Sequence, residues 1–216
     1  MTANADAPAE YGGDDRFSRP GTLVGRVVRL VPLHEDHRAA LHDAARRDEA
    51  IWQFFPLTFN GAGDAFDAWF DHALRQGAAR AHYPFAVLAQ DGTMLGTTRF
   101  YDMNAIHRRL AIGSTWYVPE ARGSRVNAEV RLLALTQAFE AWRANRVELI
   151  TDPRNLASRA AMKLLGAVQE GVMRRHLVYR DGRVRDSVLY GIVADDWPAI
   201  RVRLVAQLGG TASGSA

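Results

Sequence analysis

The order of predicted elements in this 216-residue chain points to one α+β domain on a mixed, mostly antiparallel sheet of about seven strands flanked by helices. Three observations predict it. Asp91-Gly92 and Asp181-Gly182 each join two runs of strand-type residues, the signal of a tight hairpin. Between them, Trp116 to Gly166 reads in unbroken order as strand, Gly-containing turn, long helix, strand and capped helix. Helical periodicity also precedes the first hairpin and follows the second.

Taken in order, Leu23 to Val31 reads as a first strand, and Pro32 precedes an amphipathic helix carrying Leu33, His37, Ala40, Leu41 and Ala44. The segment Ile51 to Leu57 is dense in aromatic residues and lies between two helices, the second capped by Asp64 and bearing Phe66, Trp69, Phe70 and Ala73. Strands at Phe85–Ala89 and Met94–Asp102 form the first hairpin. Ala111 to Val118 is rich in β-branched and aromatic residues, and Pro119 stops it by removing a ladder donor. From about Asn127 to Arg143 the apolar residues fall on two stripes, which predicts a helix buried on most of its surface. Arg146–Thr151 alternates like a strand and ends at Asp152-Pro153. Asn155 then caps a helix that Gly166 closes. The second hairpin pairs Arg175–Tyr179 with Arg183–Ile192, and Asp195 or Asp196 caps a last helix running to Leu208, with Pro198 in its first turn. The domain is expected over residues 21–208, with flexible tails at 1–20 and 209–216.

Composition narrows the function classes. There is no cysteine, hence no disulfide, thiolate nucleophile or Cys-based metal site, and no metal is expected. The 27 basic residues, all arginine except Lys163, are interspersed with 24 acidic ones for a net +3. No clustered basic stripe with interleaved aromatics suggests nucleic acid, and no apolar run reaches membrane-spanning length. The first twenty residues have no apolar signal-peptide core, so a soluble, cytoplasmic protein is expected.

The chemistry-bearing stretch is the turn Glu120–Asn127. A helix start leaves backbone N–H groups without intrahelical partners, and the helix dipole adds to them, so the turn is suited to an anion. Arg122 and Arg125 can supply charge-assisted hydrogen bonds to phosphate oxygens. A strand-turn-helix unit can also carry Arg and Gly for purely structural reasons, so the spacing alone leaves both readings open.

The segments Arg122-Gly123-Ser124-Arg125-Val126-Asn127, Asn155-Leu156-Ala157-Ser158-Arg159 and Leu164-Leu165-Gly166-Ala167 together resemble the acetyl-CoA signature of the GCN5-related N-acetyltransferases (GNAT). Glu170-Gly171-Val172-Met173-Arg174 and Asp181 to Ser187 are similar to the branch containing the ribosomal-protein alanine N-acetyltransferases, the RimJ/RimL-like enzymes. The resemblance covers roughly Leu23 to Val193 and departs at one place. Where the family's phosphate loop carries small residues, this chain has Arg125 and Asn127, whose Cβ atoms narrow the room for a diphosphate.

What the resemblance implies is a GNAT fold with a splayed strand pair, and acetyl transfer from acetyl-CoA to a primary amine by direct attack in a ternary complex. The acceptor would be a peptide N-terminus or a small-molecule amine, and a homodimer is left open. By the same resemblance the cofactor contacts are Trp116, Tyr117, Val118, Arg122, Gly123, Ser124, Arg125, Val126, Asn127, Asn155 and Ser158. Val118's backbone N–H would meet the thioester carbonyl, Asn155 the pantetheine, and Ser158 the leaving thiolate. Ser158 is equally suited to serving its own helix start. His107, Glu120 and His176 are the general-base candidates, His176 being preferred, with solvent as the alternative. Trp52, Phe54 and Phe55 either wall the acceptor pocket or belong to the core. The rival reading is a non-catalytic acyl-CoA-binding or regulatory module, favoured by the missing loop glycines.

Overall fold

The computed structural model describes residues 15–55, 63–179 and 182–209. The residues outside these ranges include most of both expected tails, Pro56 and Leu57, and Asp181 of the second turn. Among the described residues the strands are β1 (Leu23–Val24), β2 (Val28–Pro32), β3 (Tyr83–Ala89), β4 (Met94–Asn104), β5 (Arg109–Tyr117), β6 (Arg146–Thr151), β7 (Val168–Val178) and β8 (Val184–Val193). The helices are α1 (Arg38–Ala45), α2 (Gly63–Ala78), α3 (Arg125–Thr136), α4 (Leu156–Leu165) and α5 (Trp197–Gln207). The strands form one eight-stranded sheet in the order β1-β2-β3-β4-β5-β6-β8-β7, antiparallel except for β5 against β6. This is the expected mixed α/β architecture with one strand more.

The extra strand arises because the run Leu23–Val31 breaks at Gly25-Arg26-Val27. The buried Glu129 of α3 accepts hydrogen bonds there from the amides of Arg26, Val27 and Val28, at 2.7, 2.5 and 2.6 Å. A Cβ at Gly25 would collide with that carboxylate, so the glycine is what lets the turn close over it. A carboxylate far along the chain thus shapes the first strand.

Several element boundaries differ from expectation. Helix α3 begins at Arg125, two residues early, because Ser124 is its N-cap and accepts from the Val126 amide at 3.2 Å; a π-helical turn at Gln137–Ala141 ends it. Helix α2 starts at Gly63, so Asp64 lies inside its first turn. Strand β7 begins at Val168, well before Arg175. Asp196 occupies the N-cap position of α5 without bonding into it, its Oδ2 instead accepting from the Val193 amide. The N-terminal packing starts before Leu23: Phe17 is buried edge-on against Trp142 at 5.4 Å, and Tyr83 donates its hydroxyl hydrogen to the Phe17 carbonyl.

Strand alternation separates two faces. Phe100 and Tyr83 point to Trp142 at the end of the α3 helical run, and α3 in turn packs on α5, so α3, α4 and α5 share one face. Arg99, one residue from Phe100, points the other way and lies over Trp69 of α2. Each layer therefore has its own core, the second containing Leu41, Trp52, Phe66, Phe70 and Trp116.

Glu129→Ala should lower unfolding free energy by at least about 3 kcal/mol in denaturant titration, since three backbone donors lose their acceptor at about 1–3 kcal/mol each. A loss under about 1 kcal/mol would show that water replaces the carboxylate.

Candidate active site

Parallel pairing of β5 and β6 covers only Arg109–Ala111 against Arg146–Glu148. Beyond Ala111 the two strands part, β5 continuing to Tyr117 and β6 to Thr151. Two irregularities bend β5 away. Its register against β4 slips by one residue between Gly113 and Trp116, and Ser114 there takes φ +48°, the left-handed conformation of a bulge. The parted ends run into two helix N-termini on the same face: β5 through Pro119–Ala121 into α3, and β6 through Asp152–Asn155 into α4. The notch is lined by one strand edge and two sets of unpaired helix amides.

At the α3 side, Gly123 has φ +66°, a turn conformation suited to glycine. Ser124 caps Val126 and donates its hydroxyl hydrogen to the Ala121 carbonyl at 2.6 Å. The first-turn amides of Arg125 and Asn127 have no intrahelical partners by helix geometry and remain for an anion. The side chains that narrow the loop in sequence do not fold over it. Arg125 is exposed, with Nη2 3.8 Å from where a Cβ would stand at Gly209 near the end of α5. Asn127 turns to β5, accepting from the Tyr117 hydroxyl at 3.2 Å. The turn therefore suits a diphosphate through backbone amides.

Two expected roles change. Val118's amide is not free, because it donates to the Leu95 carbonyl of the neighbouring strand at 2.8 Å. By ladder alternation the Tyr117 amide is the one turned toward the parting. Arg122 does not extend from the loop as an open cation: its Nε and Nη2 donate to the Tyr117 carbonyl at 3.0 and 2.9 Å, and Nη1 pairs with Asp48. The side chains of Trp116 and Tyr117 are buried on opposite faces, which leaves their backbone as the accessible part.

At the α4 side, Asn155 Oδ1 accepts from the Ser158 amide at 3.0 Å, which makes Asn155 the helix cap. Ser158 is half-buried in the first turn, and its hydroxyl has no partner among the described residues. Its hydroxyl is available for chemistry in a way that Ser124's is not.

The base candidates separate. His107 lies in the β4–β5 turn, at the closed end of the strand pair, removed from the notch by the length of β5. Glu120 is exposed and paired with Arg47. His176 sits on β7 with Nδ1 2.9 Å from Ser187 Oγ, which also accepts from Arg185 Nη2 at 2.9 Å. His176 is exposed on the edge strand β7, with β8 between it and β6, and is the one of the three hydrogen-bonded to the Ser187–Arg185 pair.

The aromatic segment is a 3-10 turn, Glu49–Phe54, and it straps the notch. On the β5 side Asp48 meets Arg122, and Trp52 lies edge-on to Trp116 at 5.1 Å. On the β8 side the Phe54 carbonyl accepts from the Tyr179 hydroxyl at 3.0 Å and Arg185 Nη1 at 3.4 Å, while Arg183 reaches the Gln53 carbonyl and the buried Asp152. Trp52 is 2% exposed, with Nε1 donating to the Ala45 carbonyl. It is a core residue rather than a pocket wall; Phe54 and Phe55 are half-buried. Arg183, Arg185 and Tyr179 are the residues that sequence reasoning missed. Their one signal was the alternation Arg183-x-Arg185-x-Ser187, which puts three polar side chains on one strand face.

Among the described residues there is no group of three His, Cys, Asp or Glu able to hold a metal, and no helix long and apolar enough to cross a membrane.

Trp52→Ala should cost about 3–5 kcal/mol of stability by chemical denaturation, the usual loss for a buried aromatic. A changed acceptor KM at unaltered stability would return Trp52 to the pocket.

The acetyltransferase (GNAT) domain family matches residues 28–168. A Bacillus subtilis protein, YdaF, provisionally named a ribosomal N-acetyltransferase, is 30% identical over 112 residues, 52% of this chain and 60% of its own length. The crystal structure of a T. thermophilus protein provisionally named an acetyltransferase superposes with TM-score 0.80 at 32% identity, over 88% of this chain and 97% of that one. Mycobacterium smegmatis RimJ, solved with CoA-disulfide, gives 0.72 at 27% identity over 86% and 91%. The domain match, together with this architecture, shows that the chain belongs to the GNAT acetyltransferase family.

Proposed function

We propose that the chain is an N-acetyltransferase that carries the acetyl group of acetyl-CoA to a primary amine, the N-terminus of a peptide or a small amine, by direct attack in a ternary complex. The carrying observation is that both helix N-termini open on the parting of β5 and β6 from one face. The first-turn amides of α3 hold the diphosphate there, and the gap between the strands passes the thioester to the opposite face. The naming of YdaF as a ribosomal N-acetyltransferase and the CoA-disulfide complex of RimJ support this reading.

The amine nitrogen attacks the thioester carbonyl carbon; the C–N bond forms, the C–S bond breaks, and its electron pair leaves on sulfur. The Tyr117 amide donates to the carbonyl oxygen as charge develops on it. Ser158's hydroxyl proton is offered to the departing sulfur, and the serine takes a proton back from water. Asn155, its oxygen occupied by the helix, keeps its NH2 for a pantetheine carbonyl. The attacking nitrogen loses its proton to water or to His176, whose Nδ1 is held by Ser187 and whose Nε2 is the remaining ring nitrogen.

Acetyl-CoA at millimolar concentration should raise the melting temperature by mass action, and thiol release should require an amine. Binding without thiol release across peptide and small-amine panels would favour the non-catalytic acyl-CoA module; no binding would remove both readings. Ser158→Ala should lower kcat and kcat/KM together by about tenfold or more, at the low end of general-acid help, with CoA affinity little changed. Unchanged turnover, with a stability loss of about 1 kcal/mol, would make the serine a helix-start residue.

A further inference from the structure

Arg99 of β4 is 6% exposed, and its guanidinium makes no hydrogen bond or ion pair among the described residues, with Nη2 sealed from solvent. A buried guanidinium without a counter-charge is expensive, and folds ordinarily supply a carboxylate. This one supplies none. Its cross-strand neighbours are Pro84 and Gly113, neither of which carries a charge. Beneath it is the ring of Trp69 at 5.5 Å. The titratable groups facing it are His72 of α2, His82 before β3 and Tyr101 of β4, and both histidines are held below their ordinary pKa by burial and then by Arg99's own charge. The contrast with Arg185 is direct: equally buried, it donates to Asp186 O, Phe54 O, Tyr179 Oη and Ser187 Oγ.

The place of Arg99 limits what anion it could meet. Gly113, its partner on β5, is two residues beyond Ala111, the last residue paired with β6, so Arg99 stands across one strand from the parting. It is on the α1/α2 face, whereas the amides suited to diphosphate open on the α3/α4/α5 face. A second donor stands beside it. Tyr101, two residues on and on the same face, lays its ring over Gly113, where a Cβ would come within 2.9 Å of Cε1. Burial keeps its phenol protonated, and its hydroxyl has no acceptor among the described residues.

Resting on the transferase reading above, we propose that Arg99, with the Tyr101 hydroxyl, binds a carboxylate of the acceptor, so that the enzyme selects amines that carry one. The carboxylate comes from an acidic side chain next to the reacting N-terminus of a peptide or from the α-carboxylate of a free amino acid. Binding there turns the substrate's amine toward the parting and supplies the counter-charge that the fold withholds. Arg99 is an acceptor-binding residue and takes no part in bond making.

The test compares matched acceptors on the wild-type protein: Ser-Glu against Ser-Gln peptides amidated at the C-terminus, and alanine against alaninamide. The expected result is a kcat/KM about ten- to a hundredfold higher for the carboxylate-bearing member of at least one pair, the scale of a charge-assisted hydrogen bond. Which pair responds identifies the source. Arg99→Gln should abolish the preference through acceptor KM while leaving acetyl-CoA KM unchanged, and Arg99→Lys should restore part of it. Equal kcat/KM within both pairs for a wild type that does acetylate amines overturns the inference alone. Acetylation of no amine at all fails the transferase reading and takes this one with it. A preference that survives intact in Arg99→Gln, or in a folded Arg99→Met where Gln does not fold, also overturns it.

Discussion

The parting of β5 from β6 is the constraint on which the rest of the molecule depends. A closed sheet would satisfy every ladder group and leave no opening; here pairing stops after three residues because β5 carries a bulge and a left-handed Ser114. The cost is a row of unpaired strand groups, tolerable only where solvent, a ligand or a side chain takes them. Part of it is met internally, the Tyr117 carbonyl by the Arg122 guanidinium. What remains, the strand edge with the first turns of α3 and α4, is a polar notch in an otherwise apolar layer.

An open notch would weaken the sheet were its halves not tied across it. Residues 48–55 make that tie. The Trp52 ring is packed into the β5 side, and the Phe54 carbonyl is fixed by Tyr179 and Arg185 on the other. The half-exposed pairs Arg47 with Glu120 and Arg122 with Asp48 add little energy of their own, because exposed ion pairs are screened. The buried aromatic contact and the satisfied carbonyl carry the tie, and the ion pairs set its register. Glu129 plays the corresponding part at the other flank of α3, joining the helix to the first two strands through three amides.

Charge is distributed unevenly between the two faces of the parting. On the α3/α4/α5 face the positive ends of helices are delivered by backbone, beside side-chain cations such as Arg131 of α3 and Arg203 of α5. On the α1/α2 face the cations are side chains, of which Arg185 is neutrally solvated by its own fold and Arg99 is not. For the transfer proposed above, such a division lets the acyl carrier's diphosphate and the acceptor's carboxylate each meet its own donors without crossing the sheet.

Local sequence determined a good deal here. Asp91-Gly92, Pro119, the Asn155 cap and Gly166 with φ +99° are legible because each acts through backbone geometry within a few residues. The strand-turn-helix order from Trp116 onward, and with it the anion-suited start of α3, follows from the same local rules. Other features were decided only by contacts between residues distant in the chain. Glu129 breaks the first strand from about a hundred residues away, Arg122 bends back onto Tyr117, Val118 donates to Leu95, and Trp52 enters the core against Trp116. None has a sequence signature, because a side chain's hydrogen-bonding capacity is written in its type while the partner that claims it is set by packing. The same holds for Arg99: that it is an arginine is plain from the chain, and that it lies buried without a counter-charge is a property of the assembled sheet alone.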